Sequence, residues 1–407
     1  MWNRVAKKGL SAPSPRGTRL AEMGTVKLPS QIPVAVFLTR FEPGGTERQM
    51  TELIRRIDSA RFKVHVACFH REGAWLPRVA ERAASIVEFP IDAFVRPGTL
   101  TQLMAFVRWC RRERIAVVQT CDLYANIFGL PGALMAGVPV RIGSRRELNP
   151  DKTAAQIRLQ RQAYRCATKV VANSAAARAI LEQEGLATAS IAVIPNGVDV
   201  ASFPGRSPDR AVRPVRSIIT VANLRPEKSH ETLIAAAALL VGDFPALQFQ
   251  IAGGGPRRAE LEALVAARGL QKHFVFLGHR DDVPALLSAA DIYVLPSRSE
   301  AFPNGAIEAM AAGLPVVASA VGGLLDLVHD GRTGMLVQPG HPEELAGALR
   351  RLVTDRPFAA RIGEAAQAHV KERYSFGRMV KAFEDLYTAG LPSRSLTGAA
   401  SAQAAGI

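Results

Sequence analysis

Short apolar runs alternate along this chain with segments whose apolar residues recur at helical spacing. The runs at 34–39 (VAVFLT), 63–69 (KVHVACF), 115–120 (IAVVQT), 138–144 (VPVRIGS), 169–173 (KVVAN) and 190–196 (SIAVIPN) read as strands. Their near-continuous apolar character is that of strands covered on both faces of a parallel sheet. Helical patterns lie between them, one from Thr46, one at 99–113 with Leu100, Leu103, Phe106 and Val107 on one face, one ending near Ala136, and one from Ser174. A polar, Pro-rich stretch at 198–216 interrupts the alternation. It restarts with runs at 217–223, 247–253, 273–278, 291–296, 314–319 and 333–337, and closes with helices at about 341–353, 357–372 and 376–388. Strands alternating with helices specify βαβ units. The expected fold class is therefore α/β, with two face-to-face Rossmann-like, doubly wound parallel-sheet domains and a cleft between them. Residues 32–200 form the first domain, 201–216 the linker and 217–374 the second. A basic arm at 1–31 and a tail at 391–407, both without period, are expected to be disordered.

Composition narrows this picture only a little. The 407 residues are 48% hydrophobic and 6% aromatic, a globular profile long enough for two cores. The net charge of +15 points to an anionic partner, whether nucleic acid, membrane surface or phosphorylated substrate, or to solvated Arg-rich faces. Aromatic residues are not interleaved with the basic ones, so no nucleic-acid partner is expected. The cysteines, Cys68, Cys110, Cys121 and Cys166, are scattered and fit neither a zinc pattern nor a disulfide framework. The first residues lack the apolar core of a signal peptide, and no run approaches the ~18 apolar residues of a membrane span. A cytoplasmic location is expected, with any membrane contact peripheral, at the inner face.

The candidate chemistry sits in loops at the carboxyl ends of the predicted strands, where doubly wound sheets bind ligands. RFEPGGTERQ follows the first strand. Gly44 and Gly45 allow close backbone approach, with Thr46 as N-cap and Gln49 completing a capping box; the turn is either an anion site or a tight strand-to-helix connection. NLRPEK places Arg225 and Lys228 before a helix, a fork and a point charge suited to a diphosphate; the alternative is a solvated turn with an Arg225–Glu227 contact. IAGGGPRR fails the GxGxxG pattern because Arg258 holds the third Gly position, which disfavours a nicotinamide dinucleotide. SRSEAFPNGAIEAMAA carries Glu300 in a loop and Glu308 one turn into a helix expected to be capped by Asn304. The two carboxylates can hold the two ends of one elongated ligand, with the helix N-terminus facing an anion between them. A nucleotide sugar has that layout.

Glu300-x7-Glu308 resembles the EX7E motif of retaining GT-B glycosyltransferases of family 4, the group 1 type. PGGTE, VIPNGVD, NLRPEK, IAGGGP, FLGHRDDV, ADIYVLPSRSEAFP and VGGLLDLVHDGRTGMLV extend the resemblance over nearly the whole ordered chain. It implies a GT-B fold and metal-independent transfer of a sugar from a nucleotide-sugar donor, UDP being favoured and GDP open. No cofactor is implied. In that pattern Arg225 and Lys228 neutralise the diphosphate and act with Glu300 in catalysis. Glu308 holds the ribose. Glu300, with Phe302 and Asn304, addresses the donor sugar, Gly45 brings an amide to the phosphates, and Gly278 and Arg280 contact the base. The helix at 375–390 returns to brace the first domain. Fixed cations at the leaving diphosphate stabilise charge where it develops.

One departure matters. Where the family often has a His after the fourth strand, this chain reads VVQTCDLYAN, with Cys121 in its place. Asp122 is either a substitute or a helix N-cap, and Cys121 either a reacting-centre residue or a small buried hydrophobe. Arg145 and Arg146 follow the next strand, either gripping the acceptor or forming a basic surface loop. The acceptor implied is a glycan or lipid-linked species of cell-envelope or exopolysaccharide synthesis. A catalytically weak nucleotide-sugar-binding protein of the same fold stays as the alternative. Glycoside hydrolysis by the carboxylate pair would leave Arg225 and Lys228 without a purpose. Finally, Arg108, Arg111, Arg112 and Arg114 lie close together in sequence, and Arg158, Arg161 and Arg165 share a helical face. With Lys7, Lys8, Arg16 and Arg19 they form either a solvated face or a surface for an anionic leaflet.

Overall fold

The structure, a computed structural model, describes residues 31–91, 94, 97–148, 152–203 and 213–391. Most of the N-terminal arm, the tail, and 204–212 of the linker lie outside the described residues.

Two all-parallel sheets form the frame. The first has seven strands, β1 (Ile32–Leu38), β2 (Phe62–Cys68), β3 (Ser85–Glu88), β4 (Val117–Thr120), β5 (Val140–Arg145), β6 (Lys169–Ala172) and β7 (Ile191–Val193), in the order β3-β2-β1-β4-β5-β6-β7. The second has six, β8 (Ser217–Val221), β9 (Gln248–Ala252), β10 (Phe274–Gly278), β11 (Ile292–Leu295), β12 (Val316–Ser319) and β13 (Met335–Val337), in the order β10-β9-β8-β11-β12-β13. Each order reverses direction once, between β1 and β4 and between β8 and β11. Loops diverge at such switch points and leave a crevice.

The helices on the first sheet are α1 (Gly45–Arg56), α2 (Leu76–Ala80), α3 (Pro97–Arg112), α4 (Leu123–Ala136), α5 (Ala154–Tyr164) and α6 (Ala175–Gln183). On the second they are α7 (His230–Ala238), α8 (Arg258–Ala267), α9 (Val283–Ala289), α10 (Asn304–Ala311), α11 (Leu324–Leu327), α12 (Pro342–Thr354) and α13 (Arg356–Arg373). Strand β3 is absent from the hydrophobic pattern because it is a half-exposed edge strand of four residues, too short to show a run.

The last helix, α14 (Phe376–Ala389), leaves the second sheet and packs on the first. Phe376, Met379, Val380, Phe383 and Tyr387 join Val34, Met50, Leu53 and Phe62 in one buried cluster. The chain crosses back where Val198 and Ser375 pair, through Val198 N to Tyr374 O at 2.8 Å and Phe376 N to Val198 O at 3.1 Å. Among the described residues no helix is long and apolar enough to cross a membrane.

Candidate active site

At the switch point of the second sheet, the loop after β8 meets the loop after β11. A single turn at Pro226–Lys228 aims Lys228 across the gap, where its Nζ lies 2.7 Å from Glu300 Oε1. Ser297 Oγ donates to the same oxygen at 2.7 Å. Glu300 is buried, and its Oε2 has no partner among the described residues. Arg298 N donates to Glu227 O at 2.8 Å and ties the two loops together. A third loop supports them from behind. Gly323 N donates to Glu300 O, and Gly322 sits at φ +50° with its missing Cβ position only 1.8 Å from that carbonyl, so any side chain there would displace the Glu300 loop. Phe302 is buried against Tyr374, ring centroids 5.5 Å apart, so it buttresses the loop from the core side.

The glycines of IAGGGP take a different role from a phosphate cradle. Gly255 has φ +155° and its Cβ would fall 2.5 Å from Leu224 O; Leu224 N donates to Gly254 O at 2.8 Å. This loop therefore positions the Arg225 turn. Arg225 itself is exposed, with no ion pair among the described residues, so the Arg225–Glu227 contact of the alternative reading is not formed. Gly278 ends β10 at φ +68°, and beyond it Arg280 is held by Asp282 at 2.7 and 2.6 Å.

Helix α10 carries the second carboxylate. Its N-cap is Pro303, which offers no side-chain bond, so Asn304 is the first helical residue and not the cap. The Asn304 amide spans the two halves of the molecule instead. Its Oδ1 accepts from Asn196 Nδ2 at 2.7 Å and from Gln49 Nε2 at 3.2 Å, and its Nδ2 donates to Gly45 O at 3.3 Å. One turn on, buried Glu308 accepts from Arg48 of α1 through Oε1. Burial pushes the Glu308 carboxyl above its ordinary range, and Arg48 opposes that push.

Across the opening, the first switch point holds a polar cavity of about 140 Å³ lined by Thr46, Glu47, Cys121, Asp122, Arg146 and Glu147, among others. Helix α1 starts at Gly45 after Gly44, without a cap from Thr46. Gln49 does not complete a capping box; its amide clasps Gly197, accepting from N at 2.8 Å and donating to O at 3.0 Å. Glu47 is the acidic residue of the first turn, and burial raises its carboxyl to about 7. Asp122 is a helix N-cap. It accepts from Ala125 N at 2.9 Å, and from Thr39 N at 3.0 Å and Thr39 Oγ1 at 2.9 Å, joining the ends of β1 and β4. Cys121 is fully buried and burial holds its thiol well above the ordinary range, so it is a neutral apolar group here.

The two arginines after β5 part company. Arg145, expected to face the opening, is turned inward to Glu184 at 2.9 Å and Gln160 at 3.0 Å. Arg146 faces the cavity. It is 9% exposed, its Nη2 donates to Asn196 Oδ1, and its Nε and Nη1 have no partner among the described residues. A chain of bonds thus runs from Arg146 through Asn196 to Asn304 and the Phe302 carbonyl. The structure brings Lys228, Glu300, Asn304, Glu308, Gly45 and Arg146 to one opening, while Arg225 lies in the loop after β8 and Gly278 and Arg280 lie at and just beyond the end of β10. Sequence reasoning missed Arg48, Glu47, Asn196 and Ser297. Glu47, Asn196 and Ser297 had a visible signal, since they lie in the stretches PGGTE, VIPNGVD and ADIYVLPSRSEAFP; Arg48 had none.

Comparison with known proteins bears on the family and the fold. The family described as "Glycosyltransferase Family 4" matches residues 43–202, and "Glycosyl transferases group 1" matches 211–369. The chain is 30% identical over 393 residues to the D-inositol 3-phosphate glycosyltransferase of Salinispora tropica, covering 85% of this chain and 81% of that one. It is 29% identical over 310 residues to the 2-deoxystreptamine glucosyltransferase of Streptomyces kanamyceticus, covering 69% and 78%. Among solved structures, Anabaena Alr3699/HepE in complex with UDP and glucose is similar at TM-score 0.77 and 23% identity, over 88% of this chain and 99% of that one. That likeness bears on the fold.

Proposed function

The chain belongs to the group 1, family 4 glycosyltransferases, and from that premise we propose that it transfers a sugar from a UDP-sugar with retention of anomeric configuration and without a metal. The observation that carries the reading is the convergence at the second switch point. Lys228 and Glu300 face each other there, and Glu308 lies one helical turn away, on the face that meets the first half of the molecule.

The donor lies along this line. Its diphosphate draws Lys228 away from Glu300 and is met by Arg225 from the loop after β8, so two cations stand where negative charge develops as the nucleotide leaves. The α10 N-terminus and the Gly45 region face the same charge. Glu300, released from Lys228 and already holding one free oxygen, accepts from a hydroxyl of the donor sugar. Ribose hydroxyls donate to Glu308. Gly278 and Arg280 contact the base, with Phe302 and Asn304 fixing the loop between the carboxylates. The acceptor approaches from the cavity at Cys121, Asp122 and Arg146.

The acceptor is a glycan or lipid-linked species of envelope or exopolysaccharide synthesis, met at an anionic membrane leaflet. A second reading, a small cyclitol acceptor, is favoured by the names of the two relatives and by the modest size of the cavity. Incubation with UDP-sugars, each acceptor class and EDTA, followed by NMR of the product, tests the proposal. Retention with EDTA present is expected. Inversion, or a strict metal requirement, overturns it.

A further inference from the structure

A second cavity, of about 480 Å³, opens on the outer side of the first sheet, away from the cleft, between α5, the start of β6 and the end of α6. Its walls carry Arg158, Arg161, Arg165 and Lys169. The arginines fall at i, i+3 and i+7, so they stand on one face of α5 and span about 10 Å along its axis. Two of the four cations are engaged with the wall itself. Arg161 donates to the Glu184 carbonyl at the end of α6, and Lys169 to the Ala189 carbonyl. Arg158 and Arg165 are exposed and make no ion pair or side-chain hydrogen bond among the described residues.

The acidic residue in the lining, Glu184, does not cancel this charge locally. Its carboxylate is turned to buried Arg145, 2.9 and 3.4 Å away. The Glu184 carbonyl at the end of α6, which would repel an anion, is engaged by Arg161. The cavity is therefore a concave, strongly positive site with two free guanidinium forks at its mouth. Such forks match phosphate oxygens in pairs. The only aromatic side chain in the lining is Tyr164, which is buried and offers no open face, so a stacked nucleic-acid strand has no platform here.

We propose that this pocket is a phosphate-binding site separate from the donor cleft, taking a diphosphate or phosphomonoester group through Arg158 and Arg165. The group comes either from a soluble phosphorylated metabolite or from a lipid headgroup.

The test uses the full chain, with inorganic pyrophosphate as probe and saturating UDP to occupy the cleft. Calorimetry is expected to show one equivalent of pyrophosphate bound, weakened at least tenfold in the double variant Arg158→Ala/Arg165→Ala, with UDP affinity unchanged. Thermal unfolding of the variant is expected to match the parent, since both side chains are exposed. Should the chain not bind UDP at all, the donor reading fails, and titration of Lys228→Ala with pyrophosphate still reports on the pocket. Phosphatidic acid vesicles, whose headgroup is a phosphomonoester, separate the sources. Vesicle binding that pyrophosphate displaces and the double variant loses assigns the pocket to a headgroup. Pyrophosphate binding without such displacement assigns it to a soluble ligand. No saturable pyrophosphate site with the cleft filled, or one that the double variant leaves intact, overturns the proposal.

Discussion

Two carboxylates eight positions apart each hold a cation, and the identity of that cation separates their kinetic consequences. Lys228 reaches Glu300 from a neighbouring loop of the same sheet, whereas Arg48 reaches Glu308 from the other half of the molecule. In the proposed donor pose ribose keeps its place through the reaction, so Glu308→Gln is expected to raise the donor KM about tenfold with kcat nearly unchanged. Glu300→Gln and Lys228→Ala act where charge moves, and each is expected to cut kcat roughly 10²-fold or more. Steady-state kinetics with varied donor checks all three; equal effects on KM and kcat would reverse the assignments. Glu47 offers a pH test. Its carboxyl titrates near 7 in the folded chain, between Asp122, Arg146 and Glu147, against about 4.5 unfolded. The folded state therefore holds the proton more tightly, and stability is expected to fall as pH rises from about 5 to about 7. Glu47→Gln removes that slope, read as Tm against pH. The spacing of Glu300 and Glu308 was legible in the sequence because both lie on one loop and helix. Arg48 was not, since its partner is 260 positions away and only the packing of the two halves introduces them.

At the scale of elements, the strands were legible because both faces of a parallel sheet are covered, which writes each one as an apolar run. Caps were less so. Thr46 and Asn304 are good N-cap residues by type, yet α1 begins at Gly45 and α10 after Pro303, because tertiary partners claim Gln49 and Asn304 across the opening. Asp122 keeps the capping role its position suggested. Ser229 shows the opposite case. It holds φ +51° before α7, costly for a residue with a Cβ, while its hydroxyl bonds Thr232 at 2.9 Å and Glu231 at 3.3 Å. Ser229→Ala keeps the strain and loses the bonds, so it is expected to cost about 1–2 kcal/mol, and Ser229→Gly less, by urea unfolding. Asp291, the Asp of ADIYVLP, anchors the start of the second sheet. Burial works to raise its carboxyl, but the Arg216 and Ser217 amides and Arg213 outweigh it and hold it below the usual range. Asp291→Asn is expected to cost about 2–3 kcal/mol at neutral pH. The gap from the parent narrows as pH falls below about 4, where the carboxylate of the unfolded chain takes up its proton, and closes as pH falls on through the lower folded value.

For the whole molecule, the charge of +15 has to be placed before it can be interpreted. The exposed Arg108, Arg111, Arg112 and Arg114 gather at the end of α3. Arg111 Nη2 donates to Met135 O at 2.6 Å, which joins that end to the last turn of α4, where Leu134 and Met135 are about half exposed. Trp109, adjacent in sequence, is buried among Phe89 and Phe106 and serves the core, not the surface. Exposed apolar side chains beside an arginine-rich helix end make a patch that can settle at a headgroup boundary. Near an anionic leaflet each basic residue adds about 1 kcal/mol, and the attraction fades within a Debye length. Lys7, Lys8, Arg16 and Arg19 of the arm add to the same sign. The full chain is therefore expected to sediment with phosphatidylglycerol vesicles at low salt, to be released as salt rises, and to ignore phosphatidylcholine. Leu134→Ser/Met135→Ser is expected to weaken vesicle binding while leaving the salt dependence in place, because it removes the apolar share and not the charge. Protein left in the supernatant at low salt would mean that the arginines are a solvated face and that the acceptor is met in solution, which in turn would favour the cyclitol reading over the lipid-linked one.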